Sequence, residues 1–188
     1  MLPNFQLNAD GPISNLFKER GITDFKTACE FIQNLPIGRV SPRIDFKQVF
    51  ELEKGTCSTK HAILNQLAEE NGNLEIELMF GLYLMNSETH PHLAEFFSDK
   101  PYPALPESNC FLRYKGNRYD FTTNTNILEK IESKIIREQR IEPQQVGDWK
   151  EKLHQDFLMR WLKRKPEIEI SLEDIWNDRE KIQELNLI

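Results

Sequence analysis

The stretch GTCSTKHAILNQLAEENG, residues 55–72, places a cysteine where an extended segment turns into a helix. Its apolar residues recur with helical spacing, and Gly72 is the kind of residue that ends a helix. A helix over residues 56–71 is therefore predicted, with Cys57 in its first turn. Four side chains share one inward-leaning face of this helix: Cys57, His61, Leu64 and Ala68.

The residues that follow alternate as a β-strand does. In LEIELMFGLYLM, residues 74–85, apolar side chains recur with a period of two, which predicts a strand buried on one side. NCFLRY (109–114) and NRYDFT (117–122) flank Lys115-Gly116, which is a hairpin signal. The segment between residues 86 and 108 is predicted to be a loop with one helical turn at LAEFF.

Helices are predicted on both sides of this region. Before it lie residues 13–20 and 23–35, the latter capped by Thr23 and burying Cys29, and then a turn-rich segment, 36–46. After it, the last third of the chain is charged and helical. There Ser171 and Asp174 resemble a capping box that opens a helix over 171–185, and an earlier amphipathic stripe consists of Val146, Trp149, Leu153, Phe157 and Trp161.

These elements predict an α+β fold, in which a helix bearing a cysteine at its start packs on an antiparallel sheet. A core of residues 1–130 with its N-terminal helices is expected, and a C-terminal helical extension, 131–188, packs on it as part of one compact unit. At 188 residues the chain is long enough to bury such a core.

Composition excludes several classes of function. A formal charge of −6 disfavours nucleic acid as a partner, because phosphate neutralisation needs a basic face. No apolar run is long enough to span a membrane, and the first residues lack the pattern of a signal peptide, so a cytoplasmic protein is expected. Three cysteines without a CxxC pair indicate neither a disulfide framework nor a zinc site. No glycine-rich phosphate loop is present, and no cofactor is expected.

The predicted hairpin brings two polar residues together. With Lys115-Gly116 as its loop, Phe111 lies opposite Asp120, and Asn109 lies diagonal to Asp120 on the same face, roughly 7 to 8 Å away between backbone positions. Moving the loop by one residue leaves both side chains on one face, so this pairing does not depend on the choice of loop.

The helix-start cysteine in Gly55-Thr56-Cys57, the strand and the hairpin from Asn109 to Thr122 together resemble the transglutaminase-like superfamily, with its papain-like cysteine fold. The resemblance covers residues 45–125. It implies acyl transfer through a thioester, with Cys57 as the nucleophile and Asp120 as the carboxylate that orients a histidine. The implied substrate is a peptide or an amide-containing small molecule. In this chain the histidine position falls on Asn109.

Asn109 divides the functional hypotheses. Asparagine has no proton that titrates near neutral pH, so it is neither a general base nor a partner that ionises the thiol. One hypothesis is a cysteine acyltransferase, peptidase or other hydrolase that uses a different base. A second is a binding module that keeps the fold and the cleft without the chemistry. A third takes Asn109 as an introduced substitution that traps substrate.

The neighbouring polar residues each have two interpretations. His61, one turn after Cys57, is either a substitute base or a core histidine with one hydrogen bond, and the second is favoured. Lys60 either lends positive charge to the thiol or is simply solvated. Asp120 either keeps a catalytic position or forms a cross-strand pair with Arg113 or Arg118.

Each thiol and histidine is judged by its own neighbourhood. Cys57 is either the nucleophile, which its helix-start position and Asp120 favour, or a small buried hydrophobe, and Cys110 is expected in the core. His90 and His92 suggest a metal or a mobile base, but solvated loop histidines are favoured, and His154 is predicted on the surface. Whether the extension caps the cleft or mediates self-association is open, as is the oligomeric state.

Overall fold

The computed structural model describes residues 1–40, 45–125 and 127–185. The fold is α+β, as predicted, with helices packed around a four-stranded antiparallel sheet. Three short 3₁₀ turns lie at Pro91–Leu93, Glu132–Lys134 and Pro143–Gln145. The other elements are α1 (Pro12–Lys18), α2 (Phe25–Asn34), α3 (Lys47–Glu51), α4 (Cys57–Glu70), β1 (Glu77–Met85), α5 (Ala94–Ser98), β2 (Leu105–Tyr114), β3 (Asn117–Tyr119), α6 (Ile127–Ile131), β4 (Ile135–Arg140), α7 (Asp148–Lys163) and α8 (Leu172–Leu185).

Helix α4 begins and ends close to where its sequence predicts. The hydroxyl of Thr56 accepts from the Thr59 N–H, and the Thr59 hydroxyl accepts from the Thr56 N–H, a reciprocal cap that fixes Cys57 as the first helical residue. At the other end, Gly72 has φ +77°, a conformation in which glycine carries no steric penalty. In α2 the predicted Thr23 cap is wrong, because the Asp24 carboxylate accepts from the Thr27 N–H instead.

The hairpin is confirmed at the predicted turn. Strand order in the sheet is β3-β2-β1-β4, and Tyr114 pairs with Asn117 across the two-residue loop. Lys115 and Gly116 both have positive φ, +47° and +79°, which is the signature of a type I′ turn. This turn fixes the register that brings the residues after β3 alongside β2.

Strand β1 is buried on both faces, so the prediction of one buried side is wrong. Helices α2 and α4 cover the face that carries Phe80 and Leu82. The C-terminal helices cover the opposite face, which carries Met79 and Tyr83. The alternation in the sequence arises because the second face holds polar and small residues among its apolar ones, not because that face meets solvent.

Part of the predicted helical third is a strand. Residues 135–140 form β4, which pairs antiparallel with β1. Pairing within the sheet therefore decides the conformation of these residues, although their sequence is typical of a helix. The division at residue 130 stays a prediction, and β4 joins the residues after that point to the central sheet. The predicted cap of α8 is confirmed, since Ser171 Oγ accepts from the Asp174 N–H.

The inward face of α7 is broader than the predicted stripe, of which Leu153, Phe157 and Trp161 are half-buried against the core. Trp149 is 42% exposed, whereas His154 and Leu158 are the buried residues of this helix. The prediction of His154 on the surface is therefore wrong. The ring of His154 bonds the carbonyl oxygen of Pro106. A buried polar residue with such a partner adds nothing to the apolar pattern of the helix, so that pattern did not predict its place. Residues 41–44 of the predicted turn-rich segment, residue 126 and the last three residues of the predicted extension lie outside the described residues.

Candidate functional site

Cys57 occupies the first position of α4 and is partly exposed. The other two thiols, Cys29 and Cys110, are buried, as predicted for core cysteines. At the start of a helix the unpaired backbone N–H groups favour negative charge nearby. Of the three thiols, Cys57 is therefore the one that is both accessible and at the start of a helix.

The predicted proximity of Asn109 and Asp120 is confirmed. Asn109 Nδ2 donates to Asp120 Oδ2 at 3.5 Å, and Asp120 follows directly after β3. The other oxygen, Oδ1, accepts hydrogen bonds from the backbone and the hydroxyl of Thr122 and lies 3.5 Å from His61 Nε2. The side chain of Asp120 is 2% exposed, so its carboxylate sits buried between Asn109 and His61.

His61 is a core histidine with both ring nitrogens engaged. Its Nε2 accepts from the Phe121 N–H at 2.7 Å, which requires that nitrogen to be unprotonated. Its Nδ1 lies 2.7 Å from the Cys57 carbonyl oxygen and donates to it. Burial lowers the pKa of His61, against the opposing effect of Asp120. The ring therefore braces the Asp120 segment and is not placed to accept a proton from the Cys57 thiol.

Lys60 is also buried, and the interpretation of a solvated lysine is wrong. Its ammonium donates to the carbonyl oxygens of Leu35 and Thr122. Burial lowers the pKa of Lys60 to about 8, although Asp120 and Cys57 oppose that shift. Lys60 and His61 together fasten residues 120–122 to the first turns of α4, which holds the carboxylate of Asp120 in place.

The cross-strand alternative for Asp120 is wrong. Arg113 bonds Glu77 and Glu138, and Arg118 bonds Glu132 and Glu138. Both arginines thus have glutamate partners, and the one they share, Glu138, lies on β4. The carboxylate of Asp120 therefore interacts with Asn109 and His61 and not with either arginine.

Searches of family models, curated proteins and solved structures found no match to the chain. The transglutaminase-like assignment accordingly stays a proposal that rests on the residues described above. Within the described ranges, no helix has both the length and the apolar composition needed to cross a membrane. A cytoplasmic location also stays a prediction.

A second buried polar cluster lies two positions along β2 from Asn109. Glu107 is buried and accepts from the Ser108 N–H, from Gln183 Nε2 at 2.9 Å and from Arg179 Nη2 at 3.1 Å. Burial alone would raise the pKa of Glu107, but Arg179 and then His154 lower it to about 2. This carboxylate therefore fastens α8 to the same sheet face that carries Asn109.

The two loop histidines differ from one another: His92 is exposed, as predicted, and His90 is not. His90 is buried and stacks on Tyr83 with ring centroids 5.9 Å apart, so the interpretation of His90 as solvated is wrong. Burial lowers the pKa of His90 to about 4. The metal hypothesis lacks ligands, because no group of three His, Cys, Asp or Glu side chains in the described part of the chain is arranged to hold an ion.

Sequence reasoning missed a cation beside the thiol. Lys150, in the first turn of α7, donates to Ser58 Oγ at 2.6 Å, and Ser58 Oγ lies 3.8 Å from Cys57 Sγ. No local pattern connects this lysine with Ser58, 92 residues earlier in the chain. Only the packing of α7 against the sheet brings the ammonium there.

Proposed function

We propose that the chain is a transglutaminase-like thiol protein that binds a peptide or amide-containing ligand at the Cys57 site without turning the amide over. The assignment is supported by a cysteine at the first position of a capped helix and by a buried Asp120 at the end of the hairpin. Both match the positions that the resemblance assigns to nucleophile and orienting carboxylate.

The hydrogen bonds of His61 support the claim that the site does not turn the amide over. Amide hydrolysis through a thioester needs a group that takes the thiol proton and returns it to the leaving amine. Asn109 has no such proton, and both nitrogens of His61 are committed to backbone groups. The site therefore has the buried carboxylate of Asp120 but no group that takes the thiol proton and passes it to the amine.

An active cysteine acyltransferase or hydrolase is the competing function. The partial exposure of Cys57 favours it, because a purely structural thiol is more often buried, as Cys29 and Cys110 are. In that case a base outside the transglutaminase-like pattern would serve the thiol.

One pair of variants separates the two functions. Glutamine-containing peptides are incubated with the unmodified protein, with Asn109→His and with Asn109→Gln, which changes the side chain without adding a base. Ammonia release and peptide products are followed by mass spectrometry. We expect turnover in Asn109→His alone, and its loss when Cys57→Ala is added.

Losing a triad base generally costs several powers of ten in rate, so a gain of about 10³-fold is the expected scale. If the unmodified protein transamidates or hydrolyses the peptides as fast as Asn109→His does, the binding-module proposal is wrong and the enzyme is favoured.

A further inference from the structure

A cleft of about 750 Å³ lies between α1 and the start of α7. Its walls come from α1, from residues 45–47, from Gln66 of α4 and from residues 144 and 147–149. Clefts that hold small molecules have volumes of about 300–1,000 Å³. Gln66 lies more than two helical turns beyond Cys57, which is not among the lining residues, so the cleft is separate from the thiol site.

The base of the cleft is apolar. Ile13 and Phe46 line it although they are buried, and Leu16 lines it half-buried. All three side chains also belong to the hydrophobic core around α4 or contact it. Hydrocarbon at the base of a cleft favours the apolar part of a ligand, because burial there removes the surface of that part from water.

One wall of the cleft carries an exposed indole. Trp149 is 42% exposed at the beginning of α7, whereas Trp161 and Trp176 pack against the core beneath the C-terminal helices. The face of an indole attracts a cation through its quadrupole, and it does so more strongly than the ring of Phe or Tyr. A cationic ligand group in the cleft therefore has an aromatic surface to lie against.

Two carboxylates on the rim add negative charge. Asp45 and Asp148 are exposed lining residues, and neither forms an ion pair with any residue that the structure describes. The bond that Asp45 Oδ1 accepts from the Lys47 N–H, at 3.0 Å, leaves the charge of Asp45 uncompensated. Lys47 also lines the cleft, but its ammonium lies 3.3 Å from the carboxylate of Glu51, one turn further along α3. The lining charge that remains is therefore negative.

The start of α7 does not reverse this sign. A helix N-terminus favours an anion, and the carboxylate of Asp148 already occupies the first turn. The chain as a whole carries a formal charge of −6, which also favours the approach of cations. The amides of Gln66 and Gln144 lie in the same cleft and are able to accept hydrogen bonds from N–H donors. A cation thus meets acceptors and negative charge, whereas an anion meets repulsion.

We propose that this cleft is a binding site for a small organic cation. The apolar body of the ligand packs on Ile13 and Phe46. Its cationic group faces the indole of Trp149 and the carboxylates of Asp45 and Asp148. The volume of the cleft fits a small molecule, and the charges select a cation among small molecules. The site is independent of the proposed function, which concerns the thiol.

Three probes that share a phenyl ring separate the effect of charge from that of hydrophobicity. Benzyltrimethylammonium carries the ring with a permanent cation, benzyl alcohol carries it without charge, and phenylacetate carries it with a negative charge. Each probe is titrated into the full chain, and the ¹H–¹⁵N NMR spectrum is recorded. The indole N–H signal of Trp149 is identified by its absence in Trp149→Phe, and the backbone amides of Phe46, Gly147 and Cys57 are followed with it.

We expect benzyltrimethylammonium to shift the Trp149 indole signal and the amides of Phe46 and Gly147 saturably, with a dissociation constant of about 1 mM for so small a probe. The Cys57 amide should not shift. Benzyl alcohol should bind about tenfold more weakly, because it lacks the charge that the indole and the carboxylates attract. Phenylacetate should not bind.

Variants test the assignment of the charge. Asp45→Asn and Asp148→Asn should each weaken the binding of benzyltrimethylammonium about threefold to tenfold. Trp149→Leu, which keeps an apolar side chain without the aromatic face, should weaken it by a similar factor. Glu173→Gln is the matched control, because Glu173 is an exposed acid in the first turn of α8 that does not line the cleft. Its affinity should equal that of the unmodified chain.

Three outcomes would overturn the proposal. One is equal affinity for benzyltrimethylammonium and benzyl alcohol, because the carboxylates would then select nothing. Another is a set of shifts at Cys57 without shifts at Trp149. The third is an equal loss of affinity in both aspartate variants and in Glu173→Gln, since the net charge of the protein would then attract the probe rather than the cleft. The dispersed spectrum of each variant verifies that it is folded.

Discussion

His61 Nε2 accepts a hydrogen bond from the backbone N–H of Phe121 at 2.7 Å. A histidine one turn after Cys57 therefore serves the segment that carries Asp120, rather than the thiol. The interaction joins α4 to the hairpin at the point where sequence reasoning left open a substitute base. Its consequence is that His61 should matter for stability more than for thiol chemistry.

Replacing His61 tests this directly. His61→Ala leaves the Phe121 N–H without its partner and opens a cavity, which should cost about 3 kcal/mol or more in the free energy of unfolding. Urea denaturation measures the loss, and hydrogen exchange should show a faster Phe121 amide. The structural role would be contradicted if His61→Ala unfolded like the unmodified protein while alkylation of Cys57 in the folded state fell tenfold or more.

Acid should destabilise the protein through its buried histidines. Burial lowers the pKa values of His90 and His154 from 6.5 to about 4 and also lowers that of His61. Between those values the unfolded chain binds more protons than the folded one. The stability contributed by the neutral rings is therefore full above pH 6.5 and, for His90 and His154, is lost as the pH falls toward 4, at about 1.4 kcal/mol per pH unit for each of these two.

One variant removes the contribution of a single histidine to this pH dependence of stability. In His154→Gln the new amide is able to donate to the Pro106 carbonyl, as His154 Nε2 does at 2.9 Å, but it does not titrate. The slope of unfolding free energy against pH should decrease by the contribution of one histidine. Lys152→Gln, an exposed change on the same helix, should keep the original slope. An unchanged slope in His154→Gln would contradict the assignment.

Substitutions at the two residues of the hairpin turn should change the stability of the fold in opposite directions. Gly116, at φ +79°, tolerates no side chain without strain, so Gly116→Ala should cost about 1–2 kcal/mol. Lys115, at φ +47°, is in a conformation that asparagine adopts more readily, so Lys115→Asn should stabilise the fold. Thermal unfolding compares both with the unmodified chain. A Gly116→Ala variant as stable as the parent would argue against the type I′ turn.

The sequence predicted the parts of the site that depend on local pattern. Cys57 at a helix start and Asn109 beside Asp120 both follow from spacing within one element or one hairpin. The roles of Lys60 and His154 were missed because each is a polar residue whose buried partners lie in distant segments, at Leu35 and Thr122 for one and at Pro106 for the other. Such burial depends on tertiary packing and leaves no period in the sequence.

The strand β4 and the polar face of β1 were missed for a related reason. Residues 135–140 are charged enough to suit a helix, and their pairing with β1 decides their conformation. Tyr83 and Glu107 face the C-terminal helices across the sheet, so a strand that alternates as though one side met solvent is buried on both. The partner that covers this face lies some 70 residues further along the chain, at Arg179 and Gln183.

Breaking the Glu107–Arg179 pair should loosen the C-terminal helices. Arg179 Nε lies 3.1 Å from Glu107 Oε2, and the carboxylate is 2% exposed. Arg179→Met leaves that charge buried without its main partner and should cost about 3–5 kcal/mol, whereas removing both charges in Glu107→Gln with Arg179→Met should cost less than Arg179→Met alone.

The control is Arg160→Met, which changes an exposed arginine on α7. Chemical denaturation gives the free energies, and limited proteolysis reports whether α8 detaches first. If the double variant proved no more stable than Arg179→Met, an unpaired charge would not be the cause of the loss, and the packing of the arginine side chain against Trp176, 4.8 Å from the ring centroid, would account for it instead.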